Sequence, residues 1–102
     1  MIEVNDNKIQ YSTESSALKL SIFQDLLKKL DDSDETITEM FIKIKCSKRR
    51  GITLEKLISL TFTINYYKID FDKEIVYINF VGNAQLMKKD LQVLKLGLTQ
   101  FN

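Results

Sequence analysis

The chain reads as an α+β domain: a two-layer sandwich of a mainly antiparallel sheet with two amphipathic helices on one face. Three observations predict it. Residues 60–67 (LTFTINYY) alternate apolar and polar side chains with a period of two, the mark of a half-buried strand. Residues 13–30 and the stretch after Asn83 instead repeat apolar residues at helical spacing. With 3 Gly and no Pro, the chain has little room for long irregular loops, so short links join these segments. The 102 residues read as a single domain, 1–102. A chain of this size buries roughly 65% of its unfolded surface, enough for one core without staples.

Residues 1–11 are strand material interrupted by Asn5-Asp6-Asn7, either a short hairpin or one bent edge strand. A helix is expected over 13–30, capped by Ser12 or Thr13, with Leu18, Phe23, Leu26, Leu27 and Leu30 as its apolar stripe. Lys28 and Lys29 suit the negative end of its dipole, and Asp31-Asp32-Ser33-Asp34 stops it. A strand over 37–46 puts Met40, Ile42, Ile44 and Cys46 on one side and Glu39, Phe41, Lys43 and Lys45 on the other. The loop 47–51 follows. Residues 53–59 fit a short helix through Leu54, Leu57 and Ile58 better than the start of the next strand.

The strand over 60–71 is expected to turn Leu60, Phe62, Ile64 and Tyr66 to the core and Thr61, Thr63, Asn65 and Tyr67 away from it. Its alternation slips at Tyr66-Tyr67-Lys68, and a bulge there returns Ile69 and Phe71 to the core. Asp72-Lys73 turns the chain into a strand over 75–81, with Val76, Ile78 and Phe80 on one side and Ile75, Tyr77 and Asn79 on the other. Gly82 ends it, and Asn83 caps a closing helix whose stripe is Met87, Leu91, Leu94, Leu98 and Phe101. Phe23, Leu27, Phe62, Ile64, Ile78, Leu91 and Leu94 are the expected common core.

Composition narrows function mainly by exclusion. The net charge of +1 argues against a strongly basic nucleic-acid module, although a local patch can hide in a neutral total. Of fifteen cationic side chains thirteen are Lys, whereas bidentate phosphate or base contacts favour Arg. There is no His, so the commonest general base and metal ligand are both missing. Cys46 is the only cysteine and excludes an intramolecular disulfide, which fits a reducing compartment. The N-terminus lacks a signal pattern and no apolar run nears the ~20 residues that span a bilayer, so a cytoplasmic protein without membrane attachment is expected. The abundance of Ile, Lys and Asn suits an AT-rich coding sequence, as in a mobile element.

Four groups of residues qualify as sites. The outward sheet face is expected to hold Phe41, Lys43, Lys45, Thr61, Thr63, Tyr67 and Tyr77, rings that stack on bases and ammonium groups that attract phosphate. Its plainer role is that of a partly covered face that forms a dimer or ordinary surface, because aromatic residues favour strands in any case. Lys43, Lys45, Lys48, Arg49 and Arg50 put five cations within eight residues, next to Gly51; short basic runs are more often solvated surface. The acidic groups of residues 70–74 read as a hairpin turn, and 31–35 lacks the Gly and Glu of a calcium loop, with Thr36 and Ile42 at those positions. Cys46 has no His to activate it and shares parity with Ile42 and Ile44, as a buried inert thiol would.

No phosphate-binding loop, dinucleotide fingerprint or nucleophile elbow occurs, and no motif names a family. The chain therefore reads as a non-enzymatic protein-binding or assembly module without cofactor or metal. It is expected to act as a small regulator, inhibitor or subunit through a sheet face or edge, with self-association as a natural consequence. The competing reading is RNA or single-stranded DNA binding through the open face and the basic segment 43–51.

Overall fold

The computed structural model describes residues 2–33 and 35–100. The chain runs β1 (Ile2–Asn5), β2 (Lys8–Ala17), α1 (Leu20–Asp32), β3 (Glu39–Lys45), α2 (Lys48–Ile58), β4 (Ile64–Asp70), β5 (Ile75–Val81) and α3 (Ala84–Gln100). The strands form one five-stranded sheet in the order β1-β2-β3-β5-β4. Three of its four pairings are antiparallel and β2–β3 is parallel, the crossover being α1. The α+β sandwich expected from the sequence is thus the observed fold, with α2 as a third helix.

Register divides the sheet into two faces, because directly opposed residues share a side. Ile9 lies opposite Met40, Tyr11 opposite Ile42, Ile42 opposite Ile78 and Ile44 opposite Val76. These side chains meet the stripes of α1 (Ile22, Phe23, Leu26, Leu27, Leu30), α2 (Leu54, Leu57, Ile58) and α3 (Met87, Leu91, Leu94, Leu98) in one buried core. α2 and α3 approach closely at Gly97, where an added Cβ would meet the end of the Leu57 side chain and displace it. Lys88 Nζ to Asp31 Oδ1 (2.7 Å) and Lys95 Nζ to Gln24 Oε1 (2.7 Å) tie α3 to α1 at the surface.

Local signals held where backbone geometry decides. The first strands form a hairpin turning at Asp6-Asn7, with Asp6 in the left-handed region at φ 51°. Asn83 Oδ1 accepts from Leu86 N–H and caps α3. The bulge in β4 is present between Ile64 and Tyr66, just before its expected place, and Ile69 packs against the core. Phe101 lies outside the described residues.

Tertiary pairing overrode local signals elsewhere. The helix expected over 13–30 begins only at Leu20. Residues 12–17 instead continue β2, shifting register between Ser12 and Ala17 to stay paired with β3. Ser12 and Thr13 therefore do not cap α1, which starts after Lys19 with no side-chain cap. The segment 47–51, expected as a loop, is the cap and first turn of α2: Ser47 Oγ accepts from Arg50 N–H.

The larger correction concerns residues 60–63, which are not strand. Leu60 and Phe62 are 62% and 78% exposed, Tyr66 is exposed, and Thr63 is buried. The cause sits on α3. Asp90 is fully buried within the apolar stripe. Phe62 N–H donates to its Oδ1 (3.0 Å), Thr63 N–H to its Oδ2 (2.7 Å), and the Thr63 hydroxyl also donates to Oδ2. These bonds draw Thr63 inward and turn Phe62 out. Phe62→Ala is therefore expected to change stability by no more than about 0.5 kcal/mol, since an exposed ring leaves no cavity. Asp90→Ala, which orphans buried donors, should lose about 2–4 kcal/mol in chemical denaturation.

Candidate functional site

The open face of the sheet carries Glu39, Phe41, Lys43 and Lys45 from β3, Ile75, Tyr77, Asn79 and Val81 from β5, and Tyr66, Lys68 and Asp70 from β4. Phe41 and Tyr77 are diagonal neighbours with ring centroids 6.5 Å apart, tilted at 47°. Lys43 Nζ stands 5.5 Å from the centroid of the Tyr77 ring, a cation–π contact. A polar chain crosses the same face: Asn65 donates to Asn79 Oδ1 (3.2 Å), Asn79 donates to Glu39 Oε2 (3.1 Å), and Lys8 pairs with Glu39 Oε1 (3.4 Å). Cations and carboxylates are therefore interleaved on this surface.

Four of the residues expected on this face are there: Phe41, Lys43, Lys45 and Tyr77. Three are not. Thr63 is sealed against Asp90, and Thr61 Oγ1 donates to Ile58 O (2.7 Å), closing the end of α2. Tyr67 lies opposite Ile78 and so belongs to the helix side, because the bulge exchanges the parities; Tyr66, opposite Asn79, takes its place.

The basic run is divided between elements. Lys48, Arg49 and Arg50 lie in the first turn of α2, where the helix dipole disfavours cations. Glu74 offsets this, its Oε2 accepting from Lys48 N–H (3.2 Å) and its carbonyl from Cys46 N–H (2.8 Å). Arg50 Nη1 donates to Leu18 O (2.7 Å) and ties α2 to the β2–α1 link. Arg50 thus has a structural bond, whereas Lys48 and Arg49 are exposed beside the sheet's end.

Sequence reasoning missed a second surface. Strand β4 is an edge of the sheet. Beside it the exposed apolar residues Leu60, Phe62, Tyr66 and Tyr67 follow one another along the chain. Val81 joins them, exposed and bonded through its N–H to Thr63 O (2.8 Å). One signal for this was present: Asp90 falls within an otherwise apolar helical stripe and demands donors from another element.

Cys46 is buried, 3% exposed. Burial pushes its thiol up from 9.0 to about 11; Arg50 pulls against this and Glu74 adds to it. Among the described residues no three His, Cys, Asp or Glu side chains are grouped to hold a metal ion. Among them also, no helix is long and apolar enough to cross a membrane. Comparison of the chain with protein-family models, curated proteins and solved structures gives no match.

The thiol makes a pH-dependent contribution of definite sign. Below pH 9 Cys46 is protonated in both folded and unfolded chains. Between 9 and 11 the unfolded chain ionises first, so stability falls as pH rises through this window. The loss approaches about 3 kcal/mol above pH 11. Urea unfolding of the wild type and Cys46→Val from pH 8 to 11.5 isolates it: the wild type should lose stability relative to the variant as the pH rises.

Proposed function

We propose that this domain is a non-enzymatic protein-binding module of the cytoplasm that acts through edge strand β4 and the apolar side chains beside it. The observation that carries this reading is Phe62. Its ring is 78% exposed while its own N–H and that of Thr63 are bonded to the buried carboxylate of Asp90. A large ring held in water by a fixed backbone is pre-organised: a partner pocket gains its burial with little further ordering of the loop. Leu60, Val81 and Tyr66 extend the apolar area, and the free β4 edge supplies unpaired main-chain groups. The single cysteine, buried with a raised pKa, suits a reducing cytoplasm.

Affinity capture from native cells with wild type and Phe62→Ala tests this. A partner protein held by the wild type should bind the variant roughly 30-fold more weakly, as expected for a central aromatic anchor, with circular dichroism unchanged. Equal capture by both proteins rejects the assigned surface.

Nucleic-acid binding is the second reading, favoured by Lys43 over Tyr77 beside Phe41 on the open face. Single-stranded RNA or DNA would then stack on these rings, with Lys45, Lys48 and Arg49 attracting phosphate. Carboxylates of Glu39 and Asp70 on the same face oppose it. Under this reading, Lys45→Glu with Lys48→Glu and Arg49→Glu should abolish salt-dependent oligonucleotide binding; Arg50 is left intact because it holds Leu18. An absence of oligonucleotide binding by the wild type at low ionic strength eliminates it.

A further inference from the structure

Strand β4 is the longer of the two sheet edges, seven residues against four in β1. An unprotected edge of this kind is a template for another strand, and a lone lysine near its middle commonly discourages pairing. Lys68 is not alone. Asp70 lies two residues on and on the same open face, since Lys68 opposes Tyr77 and Asp70 opposes Ile75. Tyr67 and Ile69 point to the helix side, opposite Ile78 and Val76. Phe71 belongs to that side too: its ring reaches within 3.2 Å of where a Cβ on Gly51 would stand, as does Ile69.

The order Tyr67-Lys68-Ile69-Asp70-Phe71 is self-complementary when read in opposite directions: aromatic, cation, isoleucine, anion, aromatic. We infer that the partner at this edge is a second copy of the chain, joined by antiparallel β4–β4 pairing with Ile69 on the two-fold axis. This rests on the reading of β4 as an interaction edge and names its occupant. In that register Lys68 faces the partner subunit's Asp70 and Asp70 faces the partner subunit's Lys68, both pairs on the open side. Tyr67 faces the partner subunit's Phe71 on the helix side, and the two Ile69 side chains meet at the axis. Cross-strand pairs of these kinds are favourable, and like charges directly opposed are not.

The alternatives of the same parity are poorer. Moving the axis to Lys68 opposes two ammonium groups, and moving it to Asp70 opposes two carboxylates. Of these three registers, charge favours the one centred on Ile69. The bulge lies between Ile64 and Tyr66, outside the paired stretch; residues 66–70 are regular strand, and Phe71, the first residue of the turn, carries the pairing one position past the strand's end. Asp70 is held at the strand's end, its Oδ1 accepting from Asp72 N–H (3.1 Å) and Lys73 N–H (2.9 Å). The product is an isologous dimer with a continuous ten-stranded sheet. Phe62, seven residues before Ile69, lies roughly 20 Å from the axis at the rise of an extended chain, so both Phe62 rings stay open to other partners.

Sedimentation velocity of the full chain over a concentration series tests the inference. The wild type should show a reversible monomer–dimer equilibrium. Lys68→Asp alone and Asp70→Lys alone should each raise the dissociation constant roughly tenfold or more, because each opposes like charges twice. Mixing the two variants in equal amounts should restore a 1:1 dimer, since each then offers what the other lacks. Asp70→Asn, which keeps an oxygen for the turn, should also weaken the dimer and guards against misfolding of Asp70→Lys. Phe62→Ala should dimerise as the wild type does. A wild type that remains monomeric up to millimolar concentration overturns the inference while leaving capture of other proteins through Phe62 standing. A dimer indifferent to both charge reversals, or variants that fail to re-pair on mixing, overturns the β4 register.

Discussion

The carboxylate of Asp90 is the constraint on which the rest of this architecture depends. After α2 the chain must pass β5 and enter the sheet at its far edge, so β3 and β4 are separated by a strand that comes later in sequence. The link that makes this crossing approaches α3 and buries Thr63 against it. A buried carboxyl group is costly unless hydrogen-bond partners surround it. Asp90 meets two backbone N–H groups and one hydroxyl, all from Phe62 and Thr63. The arrangement satisfies the carboxylate and the link together and fixes where β4 begins.

Register follows from that fixed point. With Thr63 held, its carbonyl accepts from Val81 N–H, Ile64 falls opposite Phe80, and the bulge then exchanges the parities of Tyr66 and Tyr67. Similar links hold the opposite end of the sheet. Arg50 reaches Leu18 O, and Glu74 receives N–H groups from Cys46 and Lys48. Polar bonds between connections thus set strand ends that local capping leaves open, while the apolar core beneath supplies most of the burial.

The proposed protein-binding function draws on the division of the sheet. Helices cover one face, with α2 and α3 in close contact between Leu57 and Gly97. The other face mixes Phe41, Tyr77 and lysines with Glu39 and Asp70, a pattern better matched to another protein than to a polyanion. Exposed Val4, Ile52 and Leu96 lie elsewhere, while Leu60, Phe62, Tyr66, Tyr67 and Val81 are exposed just before β4, on it or on the neighbouring end of β5. Rigid attachment through Asp90 and a free strand edge give this region the two attributes of a recognition surface: pre-organisation and unpaired hydrogen-bonding groups.

Periodicity in the sequence by itself determined most of the layer plan. The stripes of Leu26, Leu27 and Leu30 and of Met87, Leu91, Leu94 and Leu98, and the alternation of β3 and β5, each report a buried side directly. Open-face placement of Phe41, Lys43, Lys45 and Tyr77 followed from the same alternation. Tertiary structure decided what periodicity cannot encode. Ser12 and Thr13 look like helix caps, yet pairing with β3 extends β2 through them. Leu60 and Phe62 alternate like core residues, yet both are exposed, and a carboxylate twenty-eight positions beyond Phe62 holds the N–H groups of Phe62 and Thr63. An alternating pattern specifies that two sides differ but not which side is buried; the bonds to Asp90 settled that for Phe62 and Thr63, and the bulge for Tyr66 and Tyr67.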